Sequence, residues 1–159
     1  MSNLLSDISK QAKIAKNVQI DSFVTIQKNV VIEEGCWIGS NVTIMEGARI
    51  AKNCKIFPGA VISAIPQDLK FGGEDSLVEI GENTVIRECV TINRGTNYSG
   101  TTKIGKNCLI MAYVHIAHDC NIGDNVILVN SVQLGGHITI GDSAIIGGLS
   151  AIHQFVKVG

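Results

Sequence analysis

Large aliphatic residues recur at every sixth position along the chain. The series runs from Ile14 through Ile20, Ile26, Ile32, Ile38, Ile44, Ile50, Ile56 and Ile62, and resumes at Ile80, Ile86 and Ile92. From Ile104 it continues through Ile110, Ile116, Ile122, Leu128, Leu134, Ile140, Ile146, Ile152 and Val158, and only Asp68, Glu74 and Tyr98 break it. A period of six is neither the helical repeat of about 3.6 residues nor the plain alternation of a half-buried strand. Two residues before most of these aliphatics stands a second small or β-branched residue, as at Val24, Cys36, Ala48, Cys54, Ala60, Val90, Cys108, Val114 and Cys120. A spacing of two puts both on one face of a short strand. Three residues after the aliphatic comes Asn17, Asn29, Gly35, Asn41, Gly47, Asn53, Gly59, Asn83, Gly95, Asn107 or Asn125, types that tolerate the left-handed backbone of a tight corner. Each hexad therefore predicts an inward-facing strand followed by a turn.

The repeat lapses between Ser63 and Glu79 and between Asn93 and Lys103, but keeps its register beyond each gap. Both gaps are expected to be loops carried out from a corner of one continuous domain over residues 1–159, with insertions at about 63–79 and 93–103. Loops held on a rigid scaffold often carry function. The alternative, that they are solvated insertions, stays open.

Composition narrows the chemistry. Thirteen Lys and Arg stand against 14 Asp and Glu, a net charge of −1, which argues against nucleic acid as a partner. The uncharged run from Asn125 to Gly141 is interrupted by Asn130, Gln133 and His137, so no bilayer span of about 18 apolar residues is expected. The opening residues Met1 to Asp7 are too short and too soon acidic for a secretory leader, and a cytoplasmic protein that is not integral to the membrane is expected. Five cysteines without a CxxC pair argue for neither disulfides nor a structural zinc. Cys36, Cys54, Cys108 and Cys120 take the small inward position of the repeat, whereas Cys89 falls at a turn.

All four histidines, His115, His118, His137 and His153, crowd the last 45 residues. The hexad pattern resembles the hexapeptide-repeat proteins, which implies three hexads per coil; on that count His118, Gly136 and Gln154 form one vertical column, and Asp119, His137 and Phe155 the next. On that spacing His118 projects outward beneath an open glycine, with Asp119 beside it as an orienting acid. An imidazole there suits a general base, and the Gly136 N–H suits a developing oxyanion. A surface histidine at a turn is the competing reading.

The repeat resembles the hexapeptide-repeat proteins. Five runs narrow this further: Gln67-Asp68-Leu69-Lys70, Arg87-Glu88-Cys89-Val90-Thr91-Ile92, His115-Ile116-Ala117-His118-Asp119-Cys120, Leu134-Gly135-Gly136-His137, and Ala144 through Phe155. In order, they resemble the UDP-N-acetylglucosamine 3-O-acyltransferase family of lipid A synthesis. The resemblance implies an all-β, left-handed parallel β-helix in the form of a triangular prism, assembled as a homotrimer, for which an outward Phe155 would suit an interface. It implies transfer of a 3-hydroxyacyl chain from acyl carrier protein to the sugar 3-hydroxyl, with no metal and no resident cofactor. Carried over by position, the catalytic base falls on His118, its acidic partner on Asp119 and the oxyanion N–H on Gly136. Substrate contacts fall on Asp68, Lys70, His115, His137, His153 and Gln154.

Two departures accompany the resemblance. Asn93 stands where members of the family carry histidine, and the chain stops at Gly159, which leads to the expectation of a form truncated before the last coils and the C-terminal helical region. Three other functions remain open: a related transferase acting on another UDP-sugar, a non-catalytic trimeric scaffold, and a metal-dependent hydratase of the γ-carbonic anhydrase kind, which uses three histidines on the same prism.

Overall fold

In the computed structural model, residues 5–159 are described; Met1 to Leu4, at the head of the segment that argued against a leader, lie outside them. Short parallel strands wind into three sheets. The first face stacks Asp7–Ile8, Thr25–Ile26, Thr43–Ile44, Val61–Ala64, Thr91–Asn93, His115–Ile116, Gln133–Leu134 and Ala151–Ile152. The second stacks Lys13–Ile14, Val31–Ile32, Ala48–Ile50, Leu77–Ile80, Thr101–Ile104, Asn121–Ile122, Thr139–Ile140 and Lys157–Val158. The third stacks Gln19–Ile20, Trp37–Ile38, Lys55–Ile56, Val85–Ile86, Leu109–Ile110, Ile127–Leu128 and Ile145–Ile146. The chain visits the faces in rotation, and the result is a left-handed parallel β-helix. No helix among the described residues is long and apolar enough to cross a membrane.

The register explains why the hexad phase survives the two gaps. Thr25 pairs with Thr43 and His115 with Gln133, one coil of three hexads apart. Val61 pairs with Thr91, so that coil is longer by two hexads, and Thr91 pairs with His115, longer by one. The excess leaves the prism as loops 65–76 and 94–100, between the paired ends at Ala64, Leu77, Asn93 and Thr101. Both leave at the corner between the first and second faces. They brace each other there: Asn97 N–H donates to Glu74 Oε1 at 3.1 Å and Gly95 N–H to Leu77 O at 3.1 Å.

Inward residues fill the prism, with those of the first and last coils only partly buried. Ile26, Ile44, Ile62, Ile92, Ile116 and Leu134 stack in one buried column of the first face, with Cys36, Cys54, Cys108 and Cys120 among the small buried partners. Cys89 is exposed. The corners hold a finding that composition conceals. Left-handed backbone occurs at Asn29 (φ 54°), Asn41 (φ 59°) and Gly59 (φ 77°), but equally at Phe23 (φ 63°), Tyr113 (φ 62°), His137 (φ 63°) and Phe155 (φ 65°). For a residue with a Cβ this conformation costs roughly 1–2 kcal/mol. The ladder above and below imposes it at the corner whatever residue stands there. Gly95 is the reverse case: its φ is not left-handed, and it is glycine because a Cβ would lie 2.3 Å from Thr101 N.

Ile116 is fully buried, so Ile116→Asp places an unpartnered carboxylate in the core. Removing such a charge from water costs several kcal/mol, against a total stability of about 5–15 kcal/mol. The variant should lose its cooperative melt, followed by circular dichroism, while Ile116→Val should cost only about 0.5–1.5 kcal/mol. An Asp variant melting with the parent would overturn the inward register.

Candidate active site

The corner between the first and second faces gathers most of the residues singled out from sequence. His118 follows the first-face strand His115–Ile116, and Asp119 occupies the left-handed corner position (φ 59°). His118 Nδ1 lies 2.8 Å from Asp119 Oδ2. The Asp119 side chain is fully enclosed and densely partnered. Its Oδ1 accepts from Thr96 N–H (3.0 Å), Ser99 N–H (3.2 Å) and Ser99 Oγ–H (2.5 Å), and its Oδ2 from Thr96 Oγ1–H (2.6 Å). Burial by itself would raise the Asp119 pKa, but the hydrogen bonds from Ser99, Thr96 and His118 outweigh it and hold the group at about 2. An ionised carboxylate can only accept, so the shared proton resides on His118 Nδ1. Neutral His118 then presents a lone pair at Nε2.

That nitrogen lies 4.0 Å from Asp68 Oδ2 of the first loop. One expectation needs correcting here: His118 does not stand beneath an open space at Gly136. It is buried, and its imidazole lies across Gly136, where a Cβ would meet Cε1 at 2.7 Å and Nε2 at 2.9 Å. Glycine is required because the ring occupies the space of its side chain. The Gly136 carbonyl joins the backbone ladder, accepting from Phe155 N–H at 3.1 Å, but the ladder's donors on either side are Gly135 N–H to Ile152 O and His137 N–H to His118 O, and the Gly136 N–H takes no part in it.

A groove of about 660 Å³ opens along the first face, lined in part by Gln67, Asn93, His115, His118, Gly136, His153 and Gln154. His115 Nδ1 sits 2.7 Å from Thr91 Oγ1, and burial, then the charge of His118, lowers its pKa and favours the neutral ring. His153 and Gln154 are exposed at the groove's edge. His137 and Lys70 do not line it. The His137 ring stacks on Phe155 (4.4 Å between centroids, 3° between planes), with Tyr98 at 4.4 Å and the His118 ring edge-on at 4.9 Å. Burial lowers the His137 pKa more than the nearby Asp119 carboxylate raises it. Lys70 is exposed; its backbone N–H donates to Asp68 Oδ1 at 3.0 Å.

His118, Asp119 and His137 bring potential metal-ligating atoms within 4.8 Å of one another. The Asp119 oxygens are already engaged by Thr96, Ser99 and His118, which makes this a poor ligand set as it stands. Sequence reasoning gave no role to Thr96 and Ser99, nor to Gln67, although Gln67 opens the first of the five runs. They lie in loops off the 18-residue register, where column arithmetic has no reach. Gln133, also in the groove wall, was legible as the column mate of His115.

The lowered Asp119 pKa contributes stability that is fully present above about pH 4 and lost as pH falls through about 2. Asp119→Asn should therefore lower the melting temperature at neutral pH and flatten its fall between pH 4 and 2. Parallel melting curves for variant and parent across that interval would show that Asp119 is not the group responsible.

The bacterial transferase hexapeptide profile, of six repeats, matches residues 29–64 and 101–136. The acyl-[acyl-carrier-protein]--UDP-N-acetylglucosamine O-acyltransferase of Aliarcobacter butzleri (strain RM4018) is 50% identical over 99 residues, covering 62% of this chain and 38% of that protein. The solved UDP-N-acetylglucosamine acyltransferase of Francisella novicida is 46% identical with a TM-score of 0.97, over 99% of this chain and 58% of that one. That of Bacteroides fragilis 9343 is 43% identical with a TM-score of 0.81, over 92% and 67%. The match thus takes in well under half the length of the curated relative. Repeat and prism agree with these relatives, and the chain belongs to the hexapeptide-repeat transferases, in the UDP-N-acetylglucosamine acyltransferase family.

Proposed function

We propose that this chain is the β-helical part of an acyltransferase that moves a 3-hydroxyacyl group from acyl carrier protein to the 3-hydroxyl of UDP-N-acetylglucosamine, the first step of lipid A synthesis, with His118 as general base. One observation carries the reading. A buried imidazole has Nδ1 fixed by a carboxylate held at about pKa 2, while the ring borders a groove large enough for a nucleotide sugar.

In this scheme Nε2 of His118 takes the proton from the sugar 3-hydroxyl as its oxygen attacks the thioester carbonyl carbon. Negative charge develops on the carbonyl oxygen, for which the N–H of Gly136 is the donor outside the ladder. The C–S bond then breaks, and the imidazolium returns its proton to the departing carrier thiol. Asp119 stays ionised and stabilises the imidazolium without becoming protonated. The chemistry needs no resident cofactor, since the donor is itself a substrate. Asp68, beside Nε2, and His115, His153 and Gln154 on the groove are the substrate contacts, with His137 buttressing the His118 ring and Lys70, exposed on the first loop, meeting the substrate outside the groove wall.

A cytoplasmic homotrimer completes the reading. Support for assembly comes from the third face, whose outward row Val85, Leu109, Ile127 and Ile145 is apolar and ends in an exposed Ile145. Contiguous apolar surface of this kind suits subunit contact.

His118→Ala in the full-length protein should lower acyl transfer about 10²–10⁴-fold while the melting curve is kept. His115→Ala should lose less, because its column continues to Gln133 and Ala151 and offers no oxyanion donor. Steady-state rates with carrier-protein thioester and UDP-N-acetylglucosamine decide it: more than a tenth of parent activity in His118→Ala, or a larger loss in His115→Ala, removes the base from His118. Lys70→Ala should weaken turnover without changing the fold, as expected of a point charge facing the diphosphate or thioester. Unchanged kinetics with saturating nucleotide sugar would reduce the first loop to a solvated insertion.

A further inference from the structure

Asn93 is the least explained polar residue of the groove. It ends the first-face strand Thr91–Asn93, pairs in register with Ala64 at the irregularity where the first loop departs, and lines the same groove as His118, His115 and Gln67. It is 2% exposed, yet its Oδ1 has no hydrogen-bond partner. Leaving a buried acceptor unpaired destabilises the ligand-free protein, and a natural chain that keeps such a group invites a functional explanation. The surroundings of Asp119, held by Thr96 and Ser99 of the loop that follows Asn93, show that this corner can satisfy a buried oxygen several times over.

We infer that Asn93 is a specificity-determining residue whose side-chain carbonyl accepts the acetamido N–H of the acceptor sugar. The inference rests on the reading of this groove as the UDP-N-acetylglucosamine site. The acetamido nitrogen sits on the ring carbon next to the one bearing the 3-hydroxyl. A sugar that delivers that hydroxyl to His118 carries the N–H along the same wall, to which Asn93 also belongs. An amide N–H can only donate, and the orphaned Asn93 atom can only accept, whereas a hydroxyl could turn either way. A site built around a buried acceptor rejects an analogue that lacks the matching donor, because binding it leaves the acceptor unpaired.

The test compares binding of UDP-N-acetylglucosamine, UDP-glucose and UDP to the full-length protein by titration calorimetry, in the parent and in Asn93→Leu. Leucine is close to asparagine in shape and removes the orphan acceptor, so the ligand-free variant should melt no lower than the parent. The parent should favour UDP-N-acetylglucosamine over UDP-glucose by about tenfold or more, and Asn93→Leu should lose most of that preference while holding UDP and UDP-glucose as before. Three results overturn the inference: no preference in the parent, a preference that survives in Asn93→Leu, or a lower melting temperature with all three ligands weakened together, which would make Asn93 structural. Failure of the parent to bind any of the three would instead remove the nucleotide-sugar reading of the groove.

Discussion

Everything in the site depends on the backbone ladder that ties each coil to the next. Strands about 4.8 Å apart cannot slip by one residue without turning the whole inward column to solvent, so the register is held by the full length of the core. The ladder decides that His118 lies beside Gly136 and that Asp119, His137 and Phe155 form one corner column. It also forces left-handed backbone on that corner. Asp119 (φ 59°) and His137 (φ 63°) accept this strain because paired coils on both sides over-determine it.

On this frame the charge arrangement is the second constraint. A fully enclosed carboxylate is normally driven towards its neutral form. Here two short side chains and two backbone N–H groups from loop 94–100 converge on Asp119 and keep it ionised. The ionised acid fixes the tautomer of His118, and the tautomer decides which nitrogen can act on a substrate. A loop whose sequence looks like a lapse in the repeat thus sets the tautomer of His118.

The outcome at Gly136 shows how far column arithmetic reaches. Spacing correctly paired His118 with a glycine one coil away, but read the glycine as open space. The ring fills that space, and the glycine serves close packing and an amide outside the ladder. The cleft is the groove along the first face, which the column His118, Gly136 and Gln154 lines together with His115, Gln133 and Ala151.

The repeating strand and turn were legible in the sequence because a six-residue period is a local rule: inward aliphatic, small partner and corner recur, and each hexad states its own part, while closure in three faces and the left-handed winding came from the resemblance to the hexapeptide-repeat proteins. The candidate pair His118 and Asp119 was legible for the same reason, since both lie on the unbroken register. Only the tertiary structure decided the rest. Thr96, Ser99, Asp68 and Gln67 sit on loops that leave the prism for two extra hexads and one, and their return to the His118 corner depends on where those loops fold, which no periodicity encodes. The unpaired oxygen of Asn93 is of the same kind: whether a polar atom is satisfied depends on every neighbour brought to it, and most of those neighbours are distant in the chain.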